Sequence, residues 1–260
     1  MGGTCRRDES NARFNRSFRI PRPSRSDNAM FSDSAGVAKA MRTHLERLNA
    51  LRGSGTGALE RVAALKRWQT GRLMRTYADL SANPRYRAAT AYFVEDLYGP
   101  KDFSSRDAAL LKIVPMMVRV LPEKAVETAA LSVEVEALSE DLDHRLAAAL
   151  AGAEIGEASY AKAYRESATA VERHRQIRLI VDVGHRLEAL VRWPFVLRTL
   201  KLMRAPARLA GLGDLQDFLE RGFHAFEGMG GAQEFLSIIE GRETAILERL
   251  FSGDPSPFSP

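Results

Sequence analysis

The stretch "AYFVEDLYGPKDFSSRD" (residues 91–107) contains the signals that end one helix and begin the next. On a wheel of 100° per residue, aromatic, aliphatic and small side chains of residues 84–98 form one face. The Gly-Pro pair at 99–100 then stops this helix, and the Ser-x-x-Asp pattern of Ser104 and Asp107 predicts the start of another. The stretch therefore predicts a junction between two helices. Its predicted core face comprises Tyr86, Ala89, Thr90, Phe93, Val94 and Leu97.

Two adjacent carboxylates in this stretch, Glu95 and Asp96, have no local explanation. Neither has a cation three or four positions away. Both lie at the C-terminal end of the helix, where negative charge opposes the helix dipole by roughly 0.3–1 kcal/mol. We therefore expect Asp96 or Glu95 to form a tertiary ion pair or to cap a backbone group. The candidate cations are Arg72, Arg75, Lys101 and Arg106.

Helical periodicity extends over most of the chain from about residue 34, and no segment alternates with period two for long enough to indicate a sheet. Short Gly- and Pro-containing connections favour antiparallel neighbours. We predict an all-α fold: a single multi-helix domain of about eight helices in mostly antiparallel, bundle-like packing. This domain covers residues 34–252, with long helices such as 157–192, and is followed by a disordered end at 253–260. A disordered basic tail, either an extension or a start assigned too far upstream, covers residues 1–33.

The composition excludes several classes of protein. The formal net charge is +5, but residues 1–30 hold seven Arg and three acids, so the remaining chain carries only about +1 and nucleic-acid binding is not expected. No apolar run reaches the roughly 20 residues that a transmembrane helix needs. The single cysteine, Cys5, allows no intramolecular disulfide. These observations predict a soluble cytoplasmic protein without a transmembrane segment.

A basic amphipathic segment, "RWPFVLRTLKLMRAPAR" (192–208), is the main candidate for partner binding. Its apolar residues lie on one side of a helix and its basic residues on the other. The basic face could be solvated or could meet internal acids, such as those of the acidic helix 123–151. Alternatively it could bind a protein partner, or lipid or nucleic acid at a surface. The basic face comprises Arg198, Lys201, Arg204 and Arg208.

Metal and cofactor chemistry have little support in the sequence. No Glu-x-x-His pair is present, so a carboxylate-bridged metal site is not predicted. His185 follows Gly184, whose missing side chain allows another backbone or a flat ligand to approach. His224 lies on a Phe-rich helix. These two histidines are the candidate ligand residues, and no cofactor is predicted.

The segment "YFVEDLY" (92–98) resembles the signature of the bacterial FFLEELY-motif proteins, with four identities and three conservative changes. The departures are Tyr92, Val94 and Asp96. The segment "LQDFLERGFHAFEGMGGAQEFLSIIEGRE" (215–243) is similar to the C-terminal part of that family, so the resemblance covers roughly residues 35–251. The resemblance implies a helical, cytoplasmic bacterial protein. It does not imply any particular activity. The residues that carry it or flank it form the candidate motif site: Tyr92, Phe93, Glu95, Asp96, Tyr98, Gly99, Pro100, Asp102, Arg106 and Asp107.

Three functions remain open at the level of the sequence. The first is a non-enzymatic helical protein that binds another macromolecule. The second is a small-molecule or haem-like cofactor binder, with a pocket between helices lined by Phe218, Phe223, Phe226 and His185 or His224. The third is an enzyme that uses Glu95 and Asp96 with a distant histidine. We favour the first, and oligomeric state stays open.

Overall fold

Helices make up all of the regular secondary structure in residues 27–97, 99, 104–193 and 195–259, which the computed structural model describes. The all-α prediction is confirmed for this part of the chain, whereas antiparallel packing stays a prediction. A π-helical segment covers Tyr92–Leu97. The α-helices are α1 (Asp27–Arg52), α2 (Thr56–Thr76), α3 (Ala78–Ala82), α4 (Arg87–Ala91), α5 (Ser104–Val120), α6 (Glu123–Ala149), α7 (Glu157–Ser167), α8 (Ala170–Val191), α9 (Val196–Leu209), α10 (Gly213–Gly228) and α11 (Gln233–Ser252).

The described residues form eleven α-helices, so the predicted number of about eight is too low. One cause is the predicted helix 157–192, which divides into α7 and α8 because Ala168 is extended, with φ −158° and ψ 161°. Thr169 then caps α8: its hydroxyl accepts a hydrogen bond from the Glu172 backbone N–H, and the Glu172 carboxylate accepts one from the Thr169 N–H. This Thr-x-x-Glu capping box was visible in the sequence and was overlooked.

Both ends of the predicted domain differ from expectation. Helix α1 begins at Asp27, inside the segment assigned to the tail, while residues 1–26 lie outside the described residues. At the other end, residues 253–259 fold back onto the helices. The ring of Phe258 lies 5.7 Å from Trp68 and 5.8 Å from Tyr160, centroid to centroid. These aromatic contacts explain why the end is held against the core.

Three apolar clusters hold the helices together. The first joins α1 to α5 and α6 through residues such as Leu45, and the second joins α2, α6, α7 and α11 around Tyr160. The third joins the π-helical segment to α8, α10 and α11 through Tyr92 and Phe235. Buried polar and charged residues accompany these clusters, among them Asp107, Glu140 and Asp143.

Candidate functional site

The motif stretch forms a π-helical turn rather than the end of a regular α-helix. A π-helix bonds residue i to i+5, so side chains after Tyr92 rotate away from the faces that a 100° wheel assigns them. Tyr92, Val94 and Asp96 are consequently buried, whereas Leu97 is 43% exposed. The predicted core face is therefore correct for Val94 but wrong for Leu97. π-Helical turns are rare in proteins, and those that occur are often found at functional sites. This turn is therefore a candidate site.

Close packing of α10 on the π-helical segment depends on Gly222. A Cβ atom at this position would lie 2.7 Å from the Tyr92 hydroxyl oxygen and 2.8 Å from the ring carbon that bears it. The Tyr92 ring also packs against Phe218, at 5.4 Å between centroids. The motif thus contacts α10 through an aromatic side chain that fits only over glycine.

The two motif carboxylates have different environments. Asp96 is 5% exposed, and its two oxygens accept hydrogen bonds from Nε and Nη2 of Arg221 on α10, at 3.1 and 3.0 Å. This is the tertiary ion pair that the sequence predicted, although Arg221 was not among the candidate cations. Glu95 is exposed. Of the proposed cations, Arg72 pairs with Glu243.

We expect Asp96→Asn to lower the free energy of unfolding by about 1–2 kcal/mol, because Asp96 loses a charge-assisted pair but the half-exposed Arg221 can return to water. Glu95→Gln is the matched control. It should change stability by less than about 0.5 kcal/mol, since Glu95 is exposed. Urea unfolding of both variants measures the difference. Equal losses of stability in the two variants would show that the Asp96–Arg221 pair does not stabilise the fold.

The end of the motif is set by Gly99, which lies so close to the preceding turn that a Cβ atom would be 2.3 Å from the Glu95 carbonyl oxygen. This contact supports the predicted stop at Gly99. Tyr98, Pro100 and Asp102 lie outside the described residues, as does the side chain of Arg106. Asp107 lies on α5, is fully buried and pairs with Arg52 of α1.

A buried polar seam connects α1, α2, α5 and α6. Arg52 donates to Asp107, to Glu136 at 2.7 Å and to Glu140 at 3.2 Å. Lys66 also donates to Glu140, at 2.8 Å. Burial opposes ionisation of Glu140, but Lys66 and Arg52 outweigh it and hold the pKa of Glu140 below its ordinary value of 4.5. The seam is therefore an ion-pair cluster in which Arg52 contacts three carboxylates and Lys66 contacts one of them.

The same seam continues into a small, partly open cavity of about 70 Å³ between α2, α6, α7, α8 and α11. Gln69 donates to Asp143 at 3.0 Å, and Tyr77 donates to Glu243 at 2.8 Å. Burial raises the pKa of both Asp143 and Tyr160. The cavity is lined by Gln69, Arg72, Leu73, Phe93, Asp143, Tyr160, Tyr164, Arg173, Gln176, Ile177, Ile180, Ile239 and Glu243.

Sequence reasoning missed this cavity, although Phe93 of the motif lines it. One signal was available. Lys66, Gln69 and Arg72 recur at three-residue intervals on α2, and Glu136, Glu140 and Asp143 recur at four- and three-residue intervals on α6. Each set forms one polar stripe on its helix. Two facing stripes of opposite charge indicate a polar helix contact, but only the fold shows that the stripes face each other.

The candidate ligand histidines do not converge on a site. His224 is half-exposed, with Nδ1 3.4 Å from the Glu227 carboxylate, and His185 is partly buried. The space beside Gly184 is filled, because a Cβ atom there would lie 2.4 Å from Cδ2 of Leu236 on α11. Gly184 therefore permits close packing of α8 and α11. Among the described residues, no group of three or more His, Cys, Asp or Glu side chains is placed to hold a metal ion.

The rings predicted to line a pocket are packed instead: Phe218 and Phe226 lie against the third apolar cluster, and Phe223 is buried. Neither this arrangement nor the pairing of Asp96 with Arg221 supports the cofactor-binding or enzymatic alternative.

Helix α9 presents apolar and basic side chains to solvent together. Leu202 and Leu209 are 78% and 91% exposed, and seven-residue spacing places them on one face. Arg198, Lys201 and Arg208 are exposed and form no ion pair within the described residues. We define these five residues as the α9 surface.

Side-chain hydrogen bonds attach α9 to α10. Arg204 donates through Nε to both oxygens of Glu220, at 2.7 and 2.9 Å, and these bonds lower the pKa of Glu220 to about 2. Gln216 donates to the Leu200 carbonyl at 2.7 Å. Arg204 is thus the member of the predicted basic face that meets an internal acid. The acids of α6 pair instead with cations outside α9, such as Arg47, Arg52, Lys66, Arg175 and Arg186.

No helix among the described residues is long and apolar enough to cross a membrane. Searches of curated proteins and of solved structures found no significant match. A family model, in contrast, matches residues 50–257, which include the motif turn, the polar seam, the cavity and α9. The chain therefore belongs to the family described as Domain of unknown function (DUF8198).

Proposed function

We propose that this chain is a non-enzymatic protein that binds an acidic protein partner through the α9 surface. The observation that carries the proposal is the exposure of Leu202 and Leu209 beside three cations that have no ion pair in the described part of the chain. Exposed leucines that share a helix face are unfavourable in water and are typical of a binding surface. The neighbouring cations favour a partner with negative charge at the edges of its apolar face.

An acidic amphipathic helix fits the α9 surface best. Leu202 and Leu209 lie about 10 Å apart along the axis of α9, given a rise of 1.5 Å per residue. A partner helix with apolar residues at the same spacing could pack on both leucines. Its carboxylates could then reach Arg198 on one turn and Arg208 on another. Rim charges of this kind act mainly on partner choice and association rate.

A protein partner is favoured over a lipid surface because α9 is held in place by its hydrogen bonds to α10. Two exposed leucines also offer little apolar area for insertion between lipids. The cytoplasm as the location, and membership of the bacterial FFLEELY-motif group, belong to the same proposal. They rest on the single cysteine and on the resemblance of residues 92–98.

Site-specific photo-crosslinking in the native host tests this function. A photoreactive residue at position 202 should give a dominant protein adduct, whereas the same residue at Val171, which is 74% exposed on α8, should give little. Replacing Arg198, Lys201 and Arg208 together with Glu should reduce the adduct at least tenfold, because the partner's acids are then repelled. The matched control replaces Arg61, Arg67 and Arg75 of α2, which are also exposed, with Glu.

The partner identified from the adduct is then titrated against the purified chain and both triple variants. Equal binding by the two variants would contradict the proposal. Sedimentation with phosphatidylserine vesicles that depends on the same three α9 cations, without a protein adduct, would assign the α9 surface to lipid instead.

A further inference from the structure

A buried arginine on α8 has no anionic partner. Arg173 is 2% exposed and forms no ion pair within the described residues. Its Nη1 donates to the Gln176 amide oxygen at 3.3 Å, while Nε and Nη2 have no hydrogen-bond partner. Its guanidinium lies over the Tyr164 ring, 4.2 Å from the centroid. A ring face compensates only partly for burying a full positive charge, so Arg173 lacks a directly bonded counter-ion.

Arg173 lines the cavity of about 70 Å³. Its lining includes the polar residues Gln69, Gln176 and Tyr160 and the apolar residues Ile177 and Ile180. A water molecule takes up roughly 30 Å³, so this volume suits two waters or one anion of similar total size. The lining combines hydrogen-bond donors with a short apolar wall.

None of the other charged groups that line the cavity forms a hydrogen bond with Nε or Nη2 of Arg173. Arg72 and Glu243 neutralise each other, with 2.5 Å between Nη1 and Oε1. Tyr77 donates a further hydrogen bond to Glu243. Asp143 accepts from Gln69 and does not pair with Arg173. Burial raises the pKa of Asp143, although Lys66, Gln69 and Arg173 favour its charged form.

We propose that this cavity binds a small carboxylate of about the size of acetate, with its oxygens on Nε and Nη2 of Arg173 and its carbon end against Ile177 and Ile180. The two parallel N–H donors of a guanidinium match the two oxygens of a carboxylate. The apolar wall distinguishes a carboxylate from a fully hydrated inorganic anion. The site is separate from the α9 surface, and the two proposals stand or fall independently.

Binding is tested with ¹³C-labelled acetate and the purified full chain. We expect saturable broadening of the acetate NMR signal with a Kd on the order of 1 mM, because so small a ligand makes few contacts. The thermal unfolding midpoint should rise in sodium acetate relative to sodium chloride at equal ionic strength. Absence of both effects would overturn the proposal. A saturable response to inorganic phosphate but not to acetate would also overturn it, since the ligand would then not be a carboxylate.

Gln176→Glu is the sharpest variant, because it places an internal carboxylate beside Nη1 of Arg173. This carboxylate should neutralise the charge of Arg173, so we expect a higher unfolding midpoint without acetate and at least tenfold weaker acetate binding. Arg173→Met should also abolish binding, whereas Arg178→Met, at an exposed position on the same helix, should leave it unchanged. Retention of wild-type acetate binding in folded Gln176→Glu would show that the anion does not bind at Arg173.

Discussion

Arg52→Met is expected to lower the free energy of unfolding by about 3–5 kcal/mol, the usual effect of removing one partner from a buried ion cluster. Arg52 is largely buried and donates to Asp107, Glu136 and Glu140. Without its guanidinium, the fully buried Asp107 loses this cation. Lys66 still pairs with Glu140 but does not pair with Asp107 or Glu136, the other two carboxylates that Arg52 contacts. Urea-induced unfolding followed by circular dichroism measures the loss.

Arg47→Met provides the matched control, because Arg47 lies on the same helix and also pairs with an acid of α6, Asp141. The Arg47 side chain is 58% exposed, however, so its pair is screened by water and should contribute at most about 1 kcal/mol. Similar losses in the two variants would mean that burial does not determine the strength of these pairs.

The effect of Arg52→Met should also depend on pH. Because the pKa of Glu140 is lowered in the folded state, its ion pairs stabilise the fold above the ordinary value of 4.5 and lose this contribution as the pH falls through the folded-state pKa. The difference in stability between wild type and Arg52→Met should therefore be constant near neutral pH and should narrow in acid. A difference that widens in acid would contradict the ionised state assigned to Glu140.

Gly222→Ala is expected to lower the free energy of unfolding by about 1–3 kcal/mol, because the added methyl group overlaps the Tyr92 ring. Tyr92 is buried and its ring is rigid, so either the ring or α10 has to move. Removing a helical glycine by itself favours the fold by about 1 kcal/mol, which offsets part of the loss. Displacement of Tyr92 should also disturb the neighbouring Asp96–Arg221 pair.

Gly241→Ala on α11 is the control for Gly222→Ala. It is exposed, and no atom lies within 4 Å of the position that its Cβ would occupy. The substitution should stabilise the fold by about 0.5–1 kcal/mol through helix propensity alone. Thermal and urea unfolding should therefore shift in opposite directions for the two variants. A stabilised Gly222→Ala protein would show that α10 does not press closely on the π-helical turn.

These packing constraints meet at the motif turn, Tyr92–Leu97, and at Gly99. Gly99 allows the chain to turn against the Glu95 carbonyl, and Gly222 allows α10 to approach Tyr92. Asp96 adds a charged contact to the same helix, and Phe93 reaches the cavity. The signature residues thus fix the position of α10, which in turn carries α9. The motif therefore supports the proposed partner surface by positioning α10 and α9, and its own residues are not part of that surface.

Local patterns were sufficient for the helical class, for most breaks between helices and for the amphipathic character of α9. They also identified Glu95 and Asp96 as carboxylates that their own helix disfavours. They failed at the π-helical turn, since the number of residues per turn there is not encoded by a regular repeat. They failed again at residues 253–259, where Phe258 is held by rings from distant segments.

The sequence by itself determined the all-helical class and many of the breaks between helices, because periodicity and Gly or Pro breaks act over a few residues. Only the tertiary structure decided which charged side chains form ion pairs with each other. Asp96 meets an arginine 125 positions away, and Arg52 meets Glu140 across 88 positions. Only the fold, likewise, leaves Arg173 buried without a directly bonded counter-ion. Many other arginines of this chain also lie in polar, helical segments. Which of them becomes buried depends on the helices that pack around it.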